Sequence, residues 1–199
     1  MEAADLLPDP MAQFRRWLEE ARAGGVALPE AMTLATTGAD GLPSAHTVLL
    51  KGADADGFRF FTNTESRKGR ELAENPHAAL VFHWPQEPRR QVTAAGRVEP
   101  LPRAESEAYF RTRPLGSRLG AWASRQTKVI PGREALDRAY AAAEAEHGED
   151  PPLPPWWGGY LLVPARLEFW QNRPNRLHDR FRYTRAEGGG TWVLERLAP

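Results

Sequence analysis

AMTLATTGADGLPSAHTVLLKGADADGFRFFTNTESRKGRELAENPHAALVFHW, running from Ala31 to Trp84, is the stretch that decides the fold. Four short runs in it, residues 31–37, 44–51, 58–62 and 77–84, are rich in β-branched and aromatic side chains and read as strands. Residues 38–43, with Asp40-Gly41 among them, and residues 52–57 are turns between consecutive strands, which points to antiparallel hairpins rather than βαβ crossovers. Upstream, Asp9-Pro10 sets an N-cap with proline at the first helical position. Met11, Phe14, Trp17, Leu18 and Ala21 then recur at helical spacing until Gly24-Gly25. Downstream, residues 90–98 read as a strand bent or bulged at Gly96, and residues 102–112 and 133–147 as helices. A proline-rich connector, residues 151–155, leads to three final strands at 159–171, 177–185 and 191–197. Seven or eight antiparallel strands with helices inserted between them predict an α+β, mainly antiparallel fold: a closed or split β-barrel with a few peripheral helices. The expected organisation is one domain over residues 1–199, with an N-terminal helix in 1–25, a helical insertion at 102–150 and C-terminal strands at 159–199.

Composition narrows the function classes. The chain has 199 residues, 41% hydrophobic and 26% charged, which suits a globular domain and excludes a disordered tail. Its longest charge-free stretch, residues 151–165, is interrupted by prolines and is shorter than the roughly 20 apolar residues of a spanning helix. No cysteine is present, which removes disulfides, thiolate metal sites and a cysteine nucleophile. The N-terminus lacks the pattern of a secretory signal, so the expectation is a cytoplasmic protein without a membrane partner. Basic and acidic residues balance at 26 each, against the basic footprint of a nucleic-acid binder. The five histidines show no metal-ligand spacing, so no metal site is expected.

Two local patterns point to anions. Ser66 is a natural N-cap, and Arg67 and Lys68 follow it in the first helical turn, where the macrodipole is positive and cations are disfavoured. A phosphate at that helix start would offset the conflict; solvated surface cations are the alternative. In Arg176-Leu177-His178-Asp179-Arg180-Phe181-Arg182-Tyr183, strand alternation would put Arg176, His178, Arg180 and Arg182 on one face, with Leu177, Phe181 and Tyr183 on the other. An anionic ligand would relieve the repulsion; the alternative is a polar outer sheet face. Lys51 ends a strand. Tyr109, Arg113 and Ser117, at spacing four, would share a face if the helix ran on past Pro114, and could hold a phosphate. Trp170 beside Gln171 has the shape to stack on a flat ring.

Leu167-Glu168-Phe169-Trp170-Gln171, four residues, then Arg176-Leu177-His178-Asp179-Arg180 closely resembles the C-terminal signature of the pyridoxine/pyridoxamine 5′-phosphate oxidase family. The resemblance extends through Val48-Leu49-Leu50-Lys51, Phe61-Thr62-Asn63, Ser66-Arg67-Lys68-Gly69, Arg90-Gln91-Val92, Tyr109-Phe110, Arg113-Pro114, Gly120-Ala121-Trp122-Ala123-Ser124, Trp157-Gly158-Gly159-Tyr160 and the closing Arg196-Leu197-Ala198-Pro199. It implies a homodimeric FMN-binding split barrel, with FMN at the subunit interface, that oxidises pyridoxamine or pyridoxine 5′-phosphate to pyridoxal 5′-phosphate. Hydride passes from the substrate C4′ carbon to flavin N5, and dioxygen takes up the electrons as hydrogen peroxide; the amine also releases ammonia.

By position, the resemblance makes Arg67 and Lys68 ligands of the FMN phosphate and Phe61, Thr62, Gln91, Gln126, Thr127, Trp170 and Arg180 flavin contacts. Lys51, Tyr109, Arg113 and Ser117 match the substrate-phosphate group, and Arg176 and His178 the catalytic pair over the substrate ring. The chain departs from the pattern at four places. His46 stands where an arginine usually helps hold the FMN phosphate, Leu28 where an acidic residue is frequent, Arg118 for a usual glutamine and Thr127 for a usual serine. A basic, tyrosine-containing N-terminal segment that covers the active site in some members is expected to be missing, so substrate closure is expected to differ. Two other readings use the same barrel: an FMN oxidase acting on another flat anionic ring, such as a phenazine precursor, and a non-catalytic flavin or pyridoxal-phosphate carrier.

Overall fold

The computed structural model describes residues 1–186 and 190–199. The described strands are β1 (Ala31–Thr37), β2 (Pro43–Leu49), β3 (Gly52–Ala53), β4 (Phe58–Asn63), β5 (His77–Trp84), β6 (Arg90–Pro100), β7 (Trp157–Gln171), β8 (Asp179–Arg185) and β9 (Trp192–Leu197). All pair antiparallel in one sheet of order β2-β1-β5-β6-β7-β4-β3, with β8 also on β7 and β9 beyond it.

The length of β7 explains this branching. Its first half pairs with β4, from Asn63↔Trp157 to Phe58↔Leu162, and its second half with β8, from Arg166↔Thr184 to Gln171↔Asp179. β4 and β8 therefore follow one another along the same edge of β7, while β6 runs along the other edge. Two half-sheets share a β6–β7 spine, which is the split barrel expected from the hairpin pattern. The spine bends where the register slips between Ala95 and Gly96. A Cβ at Gly96 would lie 2.0 Å from the Val163 carbonyl oxygen, so the bulge requires glycine.

Helix α1 (Pro10–Ala23) starts on the Asp9 carboxylate, which accepts the Met11 and Ala12 N–H groups at 3.0 Å each. Its buried face includes Met11, Phe14, Trp17, Leu18 and Ala21, the set at helical spacing. Phe14 meets Phe58 and Phe82 with ring centres 4.9 and 4.8 Å apart, and Trp17 meets Phe169 at 5.1 Å. One helix thus seals β4, β5 and β7 together, and each such fully buried aromatic contributes about 1.5–3 kcal/mol. Helices α2 (Arg67–Glu74), α3 (Arg103–Thr112), α4 (Leu115–Ala123) and α5 (Arg133–His147) complete the described elements with two short 3-10 turns. Phe110, Leu153 and Trp157 form a second, smaller cluster under α3, joined by Phe61 and Tyr109.

The structure corrects the sequence reading in four places. Nine strands are described rather than seven or eight, because Gly52–Ala53 forms a two-residue strand within the second turn. Lys51 lies just beyond β2, its N–H donating to the Arg59 carbonyl at 2.8 Å, so it starts the next pairing instead of ending a strand. The helix through Tyr109 ends at Thr112 as read, with Arg113 extended before Pro114, but a further helix, α4, absent from the sequence reading, starts at Leu115. Finally, β8 begins only at Asp179, while Arg176 sits in a 3-10 turn with φ 62°. Only Arg180 and Arg182 keep the strand alternation, with Phe181 and Tyr183 buried opposite.

Candidate active site

At the end of β4 the chain turns into α2, and the Ser66 hydroxyl accepts the Gly69 N–H at 3.3 Å and donates to the Asn63 carbonyl at 2.6 Å. Gly69 is obligatory: a Cβ there would lie 2.2 Å from the Thr64 carbonyl oxygen. This tight entry buries Lys68, which is only 4% exposed. Its Nζ donates to Gln126 Oε1 at 2.8 Å and lies 3.4 Å from Ser66 Oγ. Burial lowers the Lys68 ammonium below the ordinary lysine range, with Glu71 acting weakly against it. Among the described residues, no carboxylate comes within ion-pair distance of Lys68.

Arg67 faces solvent and pairs with Glu71 at 2.8 Å. Glu71 is buried and accepts the Thr36 and Ser44 hydroxyls from β1 and β2. Burial alone would raise its carboxyl; those two hydroxyls and Arg67 bring it below the usual range instead. His46, on β2, is held below the ordinary imidazole value first by burial, then by the charges of Lys68 and Arg67, against the pull of Glu71. Its Nδ1 is buried without a partner among the described residues.

These groups open into a cleft of about 990 Å³ lined by residues of β2, β4, α3, α4 and the loop after α4. His46, Lys51, Phe61, Thr62, Lys68, Tyr109, Arg113, Ser117, Gln126 and Thr127 all line it; Arg67 stands outside the lining, on the same helix turn as Lys68. Phe61, Tyr109 and Trp157 stack in a slab, with Phe61 4.2 Å from Tyr109 and 5.5 Å from Trp157 between ring centres. The Arg113 guanidinium lies 4.9 Å from the centre of Trp157 and 5.4 Å from that of Phe110, with Nη1 buried and unpartnered among the described residues. Burial lowers its pKa, with Tyr109 opposing. Lys51 Nζ lies 5.8 Å from the Tyr109 ring centre. The break at Pro114 therefore does not separate Tyr109, Arg113 and Ser117; all three still reach the cleft.

The remaining candidates gather elsewhere. Gln91, Trp170 and Arg180 are register partners across β6, β7 and β8. Trp170 packs on His178 with ring centres 4.6 Å apart, and Arg180 Nε donates to Glu168 at 2.8 Å. Phe61 and Thr62 pair with Gly159 and Gly158 at the other end of β7. Eleven or twelve strand residues separate the two groups, about 36–40 Å along the strand at about 3.3 Å per residue. Sequence reasoning missed Glu71 and Trp157. The Arg67/Glu71 pair at spacing four was a readable signal for the first; the contribution of Trp157 depends on the fold bringing β7 under α3.

A split barrel with a flat aromatic slab and cations around one cleft defines the class of FMN-binding split-barrel proteins. Comparison with known proteins agrees. Residues 18–146 match the family model described as pyridoxamine 5′-phosphate oxidase, and residues 157–199 the pyridoxine 5′-phosphate oxidase C-terminal dimerisation region. A pyridoxine/pyridoxamine 5′-phosphate oxidase of Cupriavidus necator is 57% identical over 199 residues, covering 100% of this chain and 93% of the relative. One from Burkholderia multivorans is 56% identical over 200 residues with the same coverage. Among solved structures, PhzG from Burkholderia lata in complex with tetrahydrophenazine-1-carboxylic acid matches with TM-score 0.92 and 34% identity, over 98% of this chain and 95% of that one. A pyridoxamine 5′-phosphate oxidase-related, FMN binding protein from Nostoc punctiforme shares the fold with TM-score 0.75 at 22% identity, over 98% of each chain. The chain belongs to the pyridoxine/pyridoxamine 5′-phosphate oxidase family.

Proposed function

We propose that the protein is an FMN-dependent oxidase that converts pyridoxamine and pyridoxine 5′-phosphate to pyridoxal 5′-phosphate. Dioxygen is the acceptor, leaving as hydrogen peroxide; the amine also takes up water and releases ammonia. The observation that carries this reading is that one cleft holds two cation groups, Lys68 with His46 and Arg113 with Lys51, in which His46 Nδ1 and Arg113 Nη1 are buried and unpartnered among the described residues. Two phosphate esters, one on the cofactor and one on the substrate, fit that pair of donor sets.

The residues present fit FMN. Lys68, Arg67 and His46 would hold its phosphate, and Phe61, Thr62, Gln126 and Thr127 would border the rest of it. Gln91, Trp170 and Arg180 would reach the same flavin only from a second copy, given their place at the far end of β7; the match to a dimerisation region supports a homodimer. FMN, when bound, supplies the two-electron acceptor. The chain's own part is to hold the substrate phosphate with Lys51, Tyr109, Arg113 and Ser117 of one copy; Arg176 and His178, which lie with Trp170 at the far end of β7, would be set against the substrate ring by the second copy, orienting its C4′ carbon.

Peroxide and aldehyde formation, followed with both vitamers on the yellow purified protein, tests the reading. Arg176→Ala and His178→Ala are each expected to lower turnover about tenfold or more while leaving FMN retention within about twofold. The likeness to the Burkholderia lata protein favours one second reading, an oxidase of another flat anionic ring. Absence of peroxide with either phosphate ester, in protein that retains FMN, would select that reading or a non-catalytic carrier.

His46 gives a pH dependence. In the free protein its ring is held neutral at pH 7, and a dianionic phosphate favours the protonated form. Binding therefore takes up a proton, and FMN affinity is expected to rise as pH falls from about 8 to 6.5, a range above the phosphate's own second pKa of about 6. His46→Arg should tighten FMN and flatten that slope. Flavin fluorescence titrations read both, and a wild-type dissociation constant independent of pH would show that His46 does not meet the phosphate.

A further inference from the structure

The residues proposed to face the substrate ring, Arg176 and His178, sit in the connection between β7 and β8. Asn175 and Arg176 there both adopt left-handed backbone, with φ 58° and 62°. Non-glycine residues do so at an energetic cost, so the surrounding structure must impose the turn. The residue placed to impose it is Asp179, which opens β8 and is buried. Its Oδ2 accepts Arg173 Nε at 2.7 Å and the Met1 amino group at 2.8 Å, and its Oδ1 accepts Arg196 Nη1 from β9 at 3.2 Å. Burial by itself would raise this carboxyl, but the bonds from the Met1 amino group and Arg173 bring it down to about 2, so it is ionised at neutral pH.

The tie to Arg173 closes the base of the turn, because residues 173 and 179 bracket the segment that carries Arg176 and His178. Arg173 has a second function in its main chain: its N–H donates to His178 Nδ1 at 3.2 Å. With Nδ1 used as an acceptor, the proton of the neutral imidazole sits on Nε2. The ring is also backed by Trp170. The His178 edge left for a ligand is thus a donor.

We propose that Asp179 is the positioning residue of this site: by anchoring Arg173 to the start of β8, it presents His178 as an Nε2–H donor and holds Arg176 in its left-handed turn. The inference rests on the reading that Arg176 and His178 meet the substrate.

The test compares Asp179→Asn, Arg173→Met and Arg173→Lys with wild type, all as FMN-loaded protein. Arg173 is half exposed, so its variants report even where Asp179→Asn folds poorly. Asp179→Asn and Arg173→Met are expected to lower kcat with pyridoxamine 5′-phosphate about tenfold, with KM and the FMN dissociation constant changing less than about threefold. Arg173→Lys, which keeps a cation for Asp179, should recover most of the loss. Nitrogen-15 spectra of the His178 ring should show the Nε2–H tautomer in wild type and a mixture in Arg173→Met. If Arg176→Ala and His178→Ala leave turnover intact, the functional reading falls and this inference with it. If those two lower turnover while Arg173→Met changes neither kcat nor the tautomer, the positioning role alone is overturned. A parallel loss of melting temperature, FMN binding and kcat with the tautomer unmoved also overturns it, because that is the signature of a merely structural ion pair.

Discussion

Lys68→Met is expected to weaken FMN binding by about a hundredfold while leaving the FMN-free protein at least as stable as wild type. The two halves of this expectation have one cause. Lys68 is almost fully buried, among the described residues donates only to the neutral oxygens of Gln126 and Ser66, and has its ammonium destabilised by burial. A cation kept so far from water without a carboxylate is a liability in the empty protein, and methionine of similar length removes it. Its return comes only when a dianion arrives. A charge-assisted hydrogen bond in such a place contributes about 1.5–3 kcal/mol, or about 10- to 150-fold in a dissociation constant. Fluorescence titration gives the affinity, and thermal melts with and without FMN separate the two states, since bound ligand stabilises the folded protein by an amount that grows with the logarithm of ligand concentration over dissociation constant. An unchanged dissociation constant would move the phosphate away from α2. A melting temperature that falls equally with and without FMN would make Lys68 a structural tie to the loop after α4.

How far the sequence disclosed this site follows from how local each signal is. Helix α1, with its Asp9 cap and buried stripe, and the Ser66 start of α2 are written in neighbouring residues, and both stand in the structure. The glycine at the β6 bulge was readable for the same reason. Periodicity is a weaker guide where one residue interrupts it. Pro114 splits α3 from α4, yet Tyr109, Arg113 and Ser117 stay on one cleft because both helices flank it. The alternation through Arg176 and His178 was read as strand, but two left-handed residues turn the chain first, a conformation that Asn175 adopts more readily than most residues but that Arg176 does not announce. The distance along β7 between the two halves of the site was not legible at all, because it depends on β4 and β8 sharing one edge of that strand.

Arg113→Ala is expected to raise KM for pyridoxamine 5′-phosphate about a hundredfold, with kcat at saturation and FMN affinity nearly unchanged. Arg113 packs against both Phe110 and Trp157, its Nη1 buried and unpartnered among the described residues, and burial lowers its pKa. A guanidinium in that state has donors in reserve for an anion. The substrate phosphate is remote from the reacting C4′ carbon, so its contact with Arg113 is equally strong in ground and transition states; losing it removes uniform binding and appears in KM. Arg113→Lys should recover only part, since an ammonium neither lies flat against an aromatic ring nor offers a fork. Unphosphorylated pyridoxamine supplies the control: it presents nothing for Arg113 to grip, so its kcat/KM should barely change and the preference for the ester should collapse in the variant. Were KM for the ester unmoved while kcat fell, Arg113 would be acting on the ring. Were both vitamers poor substrates of wild type and variant alike, the cleft would belong to a different anion, and the stacked arginine would be holding a carboxylate in place of a phosphate.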